Sequence, residues 1–98
     1  MGKRKIVIRE SASQSIAEVA FFIESKGMVD TAEKFVDAVY DFIETLSDER
    51  LTHAICKEPV RNLLGLKCKS FKKYSVVFDE SEDEITICEF LPSKMIKW

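Results

Sequence analysis

Ninety-eight residues with a hydrophobic fraction of 46% make one domain with a single main core, since a chain of this size removes only about 60–65% of its surface from water. A charged fraction of 33% and a net charge of −2 exclude an embedded membrane chain and a protein whose whole surface grips nucleic acid. No apolar run approaches the roughly 20 residues of a bilayer span.

The three cysteines, Cys56, Cys68 and Cys88, leave one over in any internal pairing. None of their spacings is the C-x-x-C of a zinc or redox site. Packing or surface thiols in a reducing cytoplasm are therefore expected, with no metal and no cofactor. No signal-peptide pattern opens the chain, and Met1-Gly2 lacks the downstream Ser or Thr of a myristoylation signal.

In chain order, Lys5-Ile6-Val7-Ile8-Arg9 predicts a short strand with Ile6 and Ile8 on one side. Ser11-Ala12-Ser13-Gln14 has the form of a capping box, which starts a helix running to about Lys26. Ala12, Ile16, Val19, Ala20 and Ile23 fall in a stripe roughly 100° wide, with Phe22 at its edge and Phe21 nearly opposite. An apolar ring on a solvent face marks Phe21 as a candidate partner contact.

Gly27 is expected to end that helix. Asp30-Thr31-Ala32-Glu33 then reads as a second cap, and Phe35, Val36, Val39, Phe42, Ile43 and Leu46 form one apolar stripe down to about Ser47. Glu33, Asp37, Asp41 and Glu44 lie on the far, solvent-facing side. A link this short makes the two helices an antiparallel hairpin whose joint stripe can cover a sheet. From Asp48 to Pro59 no period stands out, so a connecting loop is expected there. It carries the only histidine, His53, with no adjacent Cys, Ser or Asp to form a catalytic dyad.

Arg61 to Leu91 contains three closely spaced strand signals: Arg61 to Ser70, Tyr74 to Phe78, and Glu84 to Leu91. Short links make them an antiparallel meander. A turn over Glu80 to Asp83 sets Phe78 opposite Ile85 and Val76 opposite Ile87. A two-residue turn at Lys72-Lys73 would place Lys67 and Lys69 on the apolar side, at a desolvation cost of about 2 kcal/mol or more per group. A three-residue loop, Phe71 to Lys73, avoids this by aligning Cys68 with Val76 and Leu66 with Phe78. It sends Lys67 and Lys69, with Arg61 of the same parity, to an open face. Gly65 is the expected place for a bulge. Charge supports a local patch: Ile55 to Lys73 carries six basic residues against one acid, Glu58, which can steer an anionic partner. The tail Pro92 to Trp98, with Met95, Ile96 and Trp98, is expected to pack back or to be covered by a partner.

The whole chain, 1–98, thus reads as one α+β domain of order β-α-α-β-β-β, a helical hairpin on one face of a small antiparallel sheet. This order, the capped hairpin, the basic first meander strand and Phe71-Lys72-Lys73-Tyr74-Ser75-Val76-Val77-Phe78 resemble the RelE/ParE superfamily of bacterial toxins. The resemblance runs from Ile6 to Lys94. Within it, Gly65 to Tyr74 and Ile85 to Lys94 look like the ParE-like, plasmid-stabilisation branch. It implies the toxin of a type II toxin-antitoxin system, neutralised by a cognate antitoxin protein.

The resemblance leaves two activities open. RelE-type members cut mRNA on the ribosome with basic residues on the sheet and a His or Tyr near the C-terminus as acid or base. Arg61, Lys67 and Lys69 match the basic part, while Leu91 to Trp98 has neither His nor Tyr; Tyr74 or Glu89 would have to substitute. ParE-type members bind DNA gyrase without a nucleolytic centre, which fits this acidic chain better. Whether the chain is an enzyme stays open, as does a non-toxic interaction module of the same fold. Phe21, Lys72, Lys73, Met95 and Trp98 are the expected partner contacts.

Overall fold

The structure, a computed structural model, describes residues 4–48 and 53–96. Strand β1 spans Lys5–Ile8, helix α1 Glu10–Ser25 and helix α2 Val29–Thr45. A short helix α3, Pro59–Leu63, precedes strands β2 (Lys67–Phe71), β3 (Tyr74–Glu80) and β4 (Glu84–Pro92), and a 3-10 turn at Ser93–Met95 follows. Among the described residues the strands form one sheet of order β1-β4-β3-β2. The meander is antiparallel as expected, but β1 joins β4 in parallel, so the sheet is mixed.

Both long helices begin a residue or two before their predicted caps, and neither uses a side-chain cap. The Arg9 N–H donates to Ile87 O (2.9 Å), and the Arg9 carbonyl already accepts the Ser13 N–H (3.0 Å). The chain therefore leaves β1 straight into α1, and the Ser11 hydroxyl is carried onto β4, where it donates to Cys88 O (3.3 Å). In α2, Ala32 N–H reaches Met28 O (3.0 Å), leaving Asp30 in the first turn as a charge complementary to the helix dipole. Gly27, at φ 81°, closes α1 as predicted. The link Lys26 to Met28 sets the two helices side by side.

The main core lies between this hairpin and one face of the sheet. Ala12 and Ile16 of α1 and Val39 and Ile43 of α2, with Leu46 just beyond it, meet Val76, Phe78, Ile85, Ile87 and Phe90. Phe78 is fully buried, which alone contributes about 1.5–3 kcal/mol. Phe35 lies edge-on to both Tyr74 (5.6 Å) and Phe90 (6.2 Å), and Tyr74 stacks on Phe90 at 5.0 Å.

Register departs from expectation at both turns. Between β2 and β3 the chain makes the two-residue turn, with Lys72 at φ 55°, pairing Lys67 with Phe78 and Lys69 with Val76. Lys67 and Lys69 therefore share the helix-side parity of Phe71, whose ring packs on Phe42 at 5.0 Å. The expected penalty does not arise because β2 is an edge strand and α1 packs along β4. Lys69 is exposed and Lys67 only half-buried, so their ammonium groups stay in water.

Between β3 and β4, Phe78 pairs with Ile87 and Val77 with Glu89, leaving Cys88 as the extra residue of a β-bulge. The shift turns Phe90 into the main core and Glu89 and Leu91 onto the other face. Residues 61–63 are helix rather than strand: Pro59 opens α3 at its first position, and Gly65, at φ 72°, is the exit from that helix rather than a bulge.

The face expected to be open is instead covered in part. Cys56 and Cys68 are joined by a disulfide, Cα–Cα 4.9 Å, and with Val77 and Ile96 they form a second small core flanked by Leu66 and Leu91. Cys88 is the free thiol. The expectation of three free thiols rested on an odd count, which does not forbid one pair and a remainder. As expected, the tail packs back at Ile96. Ser93 helps hold it, its Oγ lying 2.8 Å from Ser75 Oγ and its N–H donating to Lys73 O (2.8 Å).

Candidate functional site

The predicted basic face does not assemble. Arg61 stands on α3, where its Nε and Nη2 donate to the two carboxylate oxygens of Glu89 (2.9 and 2.8 Å) and its Nη1 to Glu58. Only 17% of its side chain is exposed. The Glu89 hydrogen bond, opposed by burial and reinforced by Glu58, raises its pKa still further. A guanidinium engaged by two carboxylates offers a phosphate little unopposed charge. Lys67 and Lys69 lie on the other side of the sheet from Glu89, so the three cations share no surface.

The residues weighed as an acid or base are likewise placed apart. Tyr74 is stacked on Phe90 on the helix side, while Glu89 is bound to Arg61 on the opposite side. His53 is buried. Its Nε2 lies 3.2 Å from Leu46 O, and its ring meets Phe78 edge-on at 5.1 Å. Nearby, Arg4 Nη1 donates to Glu80 Oε2 (2.6 Å) and Nη2 to Asp48 O (3.0 Å), so this polar cluster ties the chain after α2 to the end of β3. Among the described residues no group of three or more His, Cys, Asp or Glu is placed to hold a metal ion. No helix there is long and apolar enough to cross a membrane.

What the fold does build is a cleft beside the far end of β4. One part, about 380 Å³, runs between α1 and the sheet over Val19, Phe22, Tyr74, Phe90 and Pro92. A second, about 400 Å³, shares Tyr74 and Pro92 and is rimmed by Lys73 and Lys94. The bulge at Cys88 creates this arrangement, because it brings Phe90 under Tyr74. Phe22 is 58% exposed, with the Lys26 ammonium 4.5 Å from its ring centre. The first part thus has an aromatic floor with Glu18 in its lining, and the second carries the two ammonium groups of Lys73 and Lys94.

Of the expected partner contacts, Lys73 lines the cleft, and Lys72 stands beside it on the hairpin turn, its ammonium 5.5 Å from the Phe71 ring centre. Met95 follows Lys94 and is 64% exposed, and Phe21 is 72% exposed on α1. Neither lines the cleft. Trp98 lies outside the described residues. Sequence reasoning missed Phe22, Pro92 and Lys94 as cleft residues. Phe22 carried a signal, its place at the edge of the α1 stripe, whereas Pro92 and Lys94 gain their position from the bulge.

No protein-family model matches the chain, and no curated protein matches it.

Proposed function

We propose that the protein is the toxin of a type II toxin-antitoxin system, ParE-like in fold, which acts by binding and inhibiting a cellular target such as DNA gyrase. The observation that carries this reading is the contrast between its cations. Arg61, the strongest candidate for charge stabilisation in RNA cleavage, is held by Glu58 and Glu89, whereas Lys73 and Lys94 border an apolar cleft. Aromatic rings and Pro92 bounded by lysines suit a protein segment with apolar anchors and acidic flanks better than a scissile phosphodiester. The cognate antitoxin supplies such a segment in this reading, with Phe22 and Tyr74 taking its anchors and Lys73 and Lys94 its carboxylates.

The element order supports the finer assignment, since the helical hairpin precedes the antiparallel meander as in the superfamily that the sequence resembles. The test is induction in a bacterial host, alone and with the product of the adjacent reading frame, together with supercoiling assays on purified gyrase. Growth arrest relieved by the second protein, and loss of supercoiling, are the expected results. Cleavage of ribosome-bound mRNA by the purified protein would replace this reading with the nuclease. Unaffected growth would leave a non-toxic interaction module.

A further inference from the structure

We propose that the Cys56–Cys68 bond is a redox-operated clasp that fixes residues 54–66 as a strap over the second face of the sheet. The strap has little packing of its own. Helix α3 buries no residue, and Ile55, Val60, Leu63 and Leu64 point their apolar surface outward. Inward, the strap contributes Cys56, with Leu66 half-buried, to the small core around Val77 and Ile96.

What holds the strap is a set of discrete fastenings. Across to β2 the Cys68 N–H reaches Ala54 O (3.4 Å), while within the strap Cys56 N–H donates to Leu66 O (2.8 Å) and Asn62 Nδ2 to Cys56 O (3.0 Å). Arg61 anchors the middle to Glu89 on β4. The disulfide is the one covalent fastening, and it closes a loop of sequence separation 12 between the strap and edge strand β2. Opening that bond removes a constraint on the opened strap and leaves the helix-side core, which shares none of these contacts, as it was.

The step balances as thiol–disulfide exchange. One thiolate of a dithiol reductant attacks a sulfur of the pair and forms a mixed disulfide. Its second thiolate displaces the remaining protein sulfur, the dithiol becomes a cyclic disulfide, and Cys56 and Cys68 take up two protons as thiols. Cys56 and Cys68 are both buried, so attack follows transient opening of the strap.

The experiment treats the native protein with dithiothreitol, maps freed thiols by alkylation and peptide mass, and measures amide hydrogen exchange before and after. Alkylation at Cys56 and Cys68 without denaturant is expected. Exchange at the amides of Cys56, Leu66 and Cys68 should accelerate on the order of 100-fold, with Val39 and Ile43 unchanged. A Cys56→Ser/Cys68→Ser variant should match the reduced protein. A bond that resists native reduction, an unchanged strap after reduction, or equal acceleration in α2 would each overturn the proposal.

Discussion

The two faces of the sheet are held by different physics. On the helix side, ten buried residues among those described, Phe78 at their centre and all but Leu46 from helices or strands, interlock, and stability there comes from apolar area and close packing. On the strap side, the small core of four buried residues among those described joins Cys56 of the strap to Cys68, Val77 and Ile96, and a disulfide and the Arg61–Glu89 pair fasten the strap down. The contrast extends to charge: the strap side closes its guanidinium with carboxylates, while the helix side ends in a cleft with ammonium groups on its rim. Positive residues close together in sequence therefore need not make one functional surface.

The sharpest way to break this comparison is to empty the centre of the helix side. Phe78→Ala should cost about 3–5 kcal/mol, read as a shifted midpoint in denaturant unfolding. A loss below about 1 kcal/mol would show that the packing is not close. Removing the clasp with Cys56→Ser/Cys68→Ser should cost less, about 2–3 kcal/mol for so short a loop. The change should appear first as proteolysis between 54 and 66, and cleavage beginning in α1 or α2 would contradict the division. Third, Arg61→Ala should cost about 1–2 kcal/mol, because, of the two carboxylates that lose it, Glu89 is 41% exposed and recovers water, while Glu58 is 15% exposed and recovers less. A loss of several kcal/mol would mean that the pair, rather than the disulfide, is the main fastening.

The smallest expected effect concerns Cys88 at the bulge. Burial raises its thiol pKa, partly offset by Arg9, so near pH 8 it stays more protonated than an exposed cysteine. Alkylation by iodoacetamide should be slower than for a cysteine peptide at that pH and should climb as pH rises through the raised value. The same shift makes stability fall as pH rises past the ordinary thiol range. Peptide-like alkylation would mean that the bulge is open to solvent.

Much of the helix side was legible in the sequence because it obeys one period. The stripes of α1 and α2 placed Ala12, Ile16, Val39, Ile43 and Leu46 in the core, where they are buried. The strap side was not, because it follows from single-residue events that periodicity does not carry. One extra residue at Cys88 exchanges the sides of Glu89 and Phe90, and one residue at positive φ, Lys72, fixes the shorter turn. Lys67 and Lys69 escape the desolvation penalty because β2 is an edge strand, whereas periodicity alone does not tell an edge strand from a covered one. Pro59 could have signalled α3, since proline is well suited to a first helical position. The parallel pairing of β1 with β4 has no local signal at all, because the partners lie far apart in the chain. As for the cleft, Tyr74 and Lys73 were marked from sequence for other reasons, whereas its shape depends on the bulge.

The most direct test of the account is to compare two variants for binding to the product of the adjacent reading frame. Phe22→Ala/Lys94→Glu changes exposed residues, so it should alter stability by no more than about 0.5 kcal/mol while weakening binding at least about tenfold. Arg61→Ala should bind as the parent does. The reverse pattern, with binding lost on Arg61→Ala and kept in the cleft variant, would place the functional surface on the strap side and contradict the account.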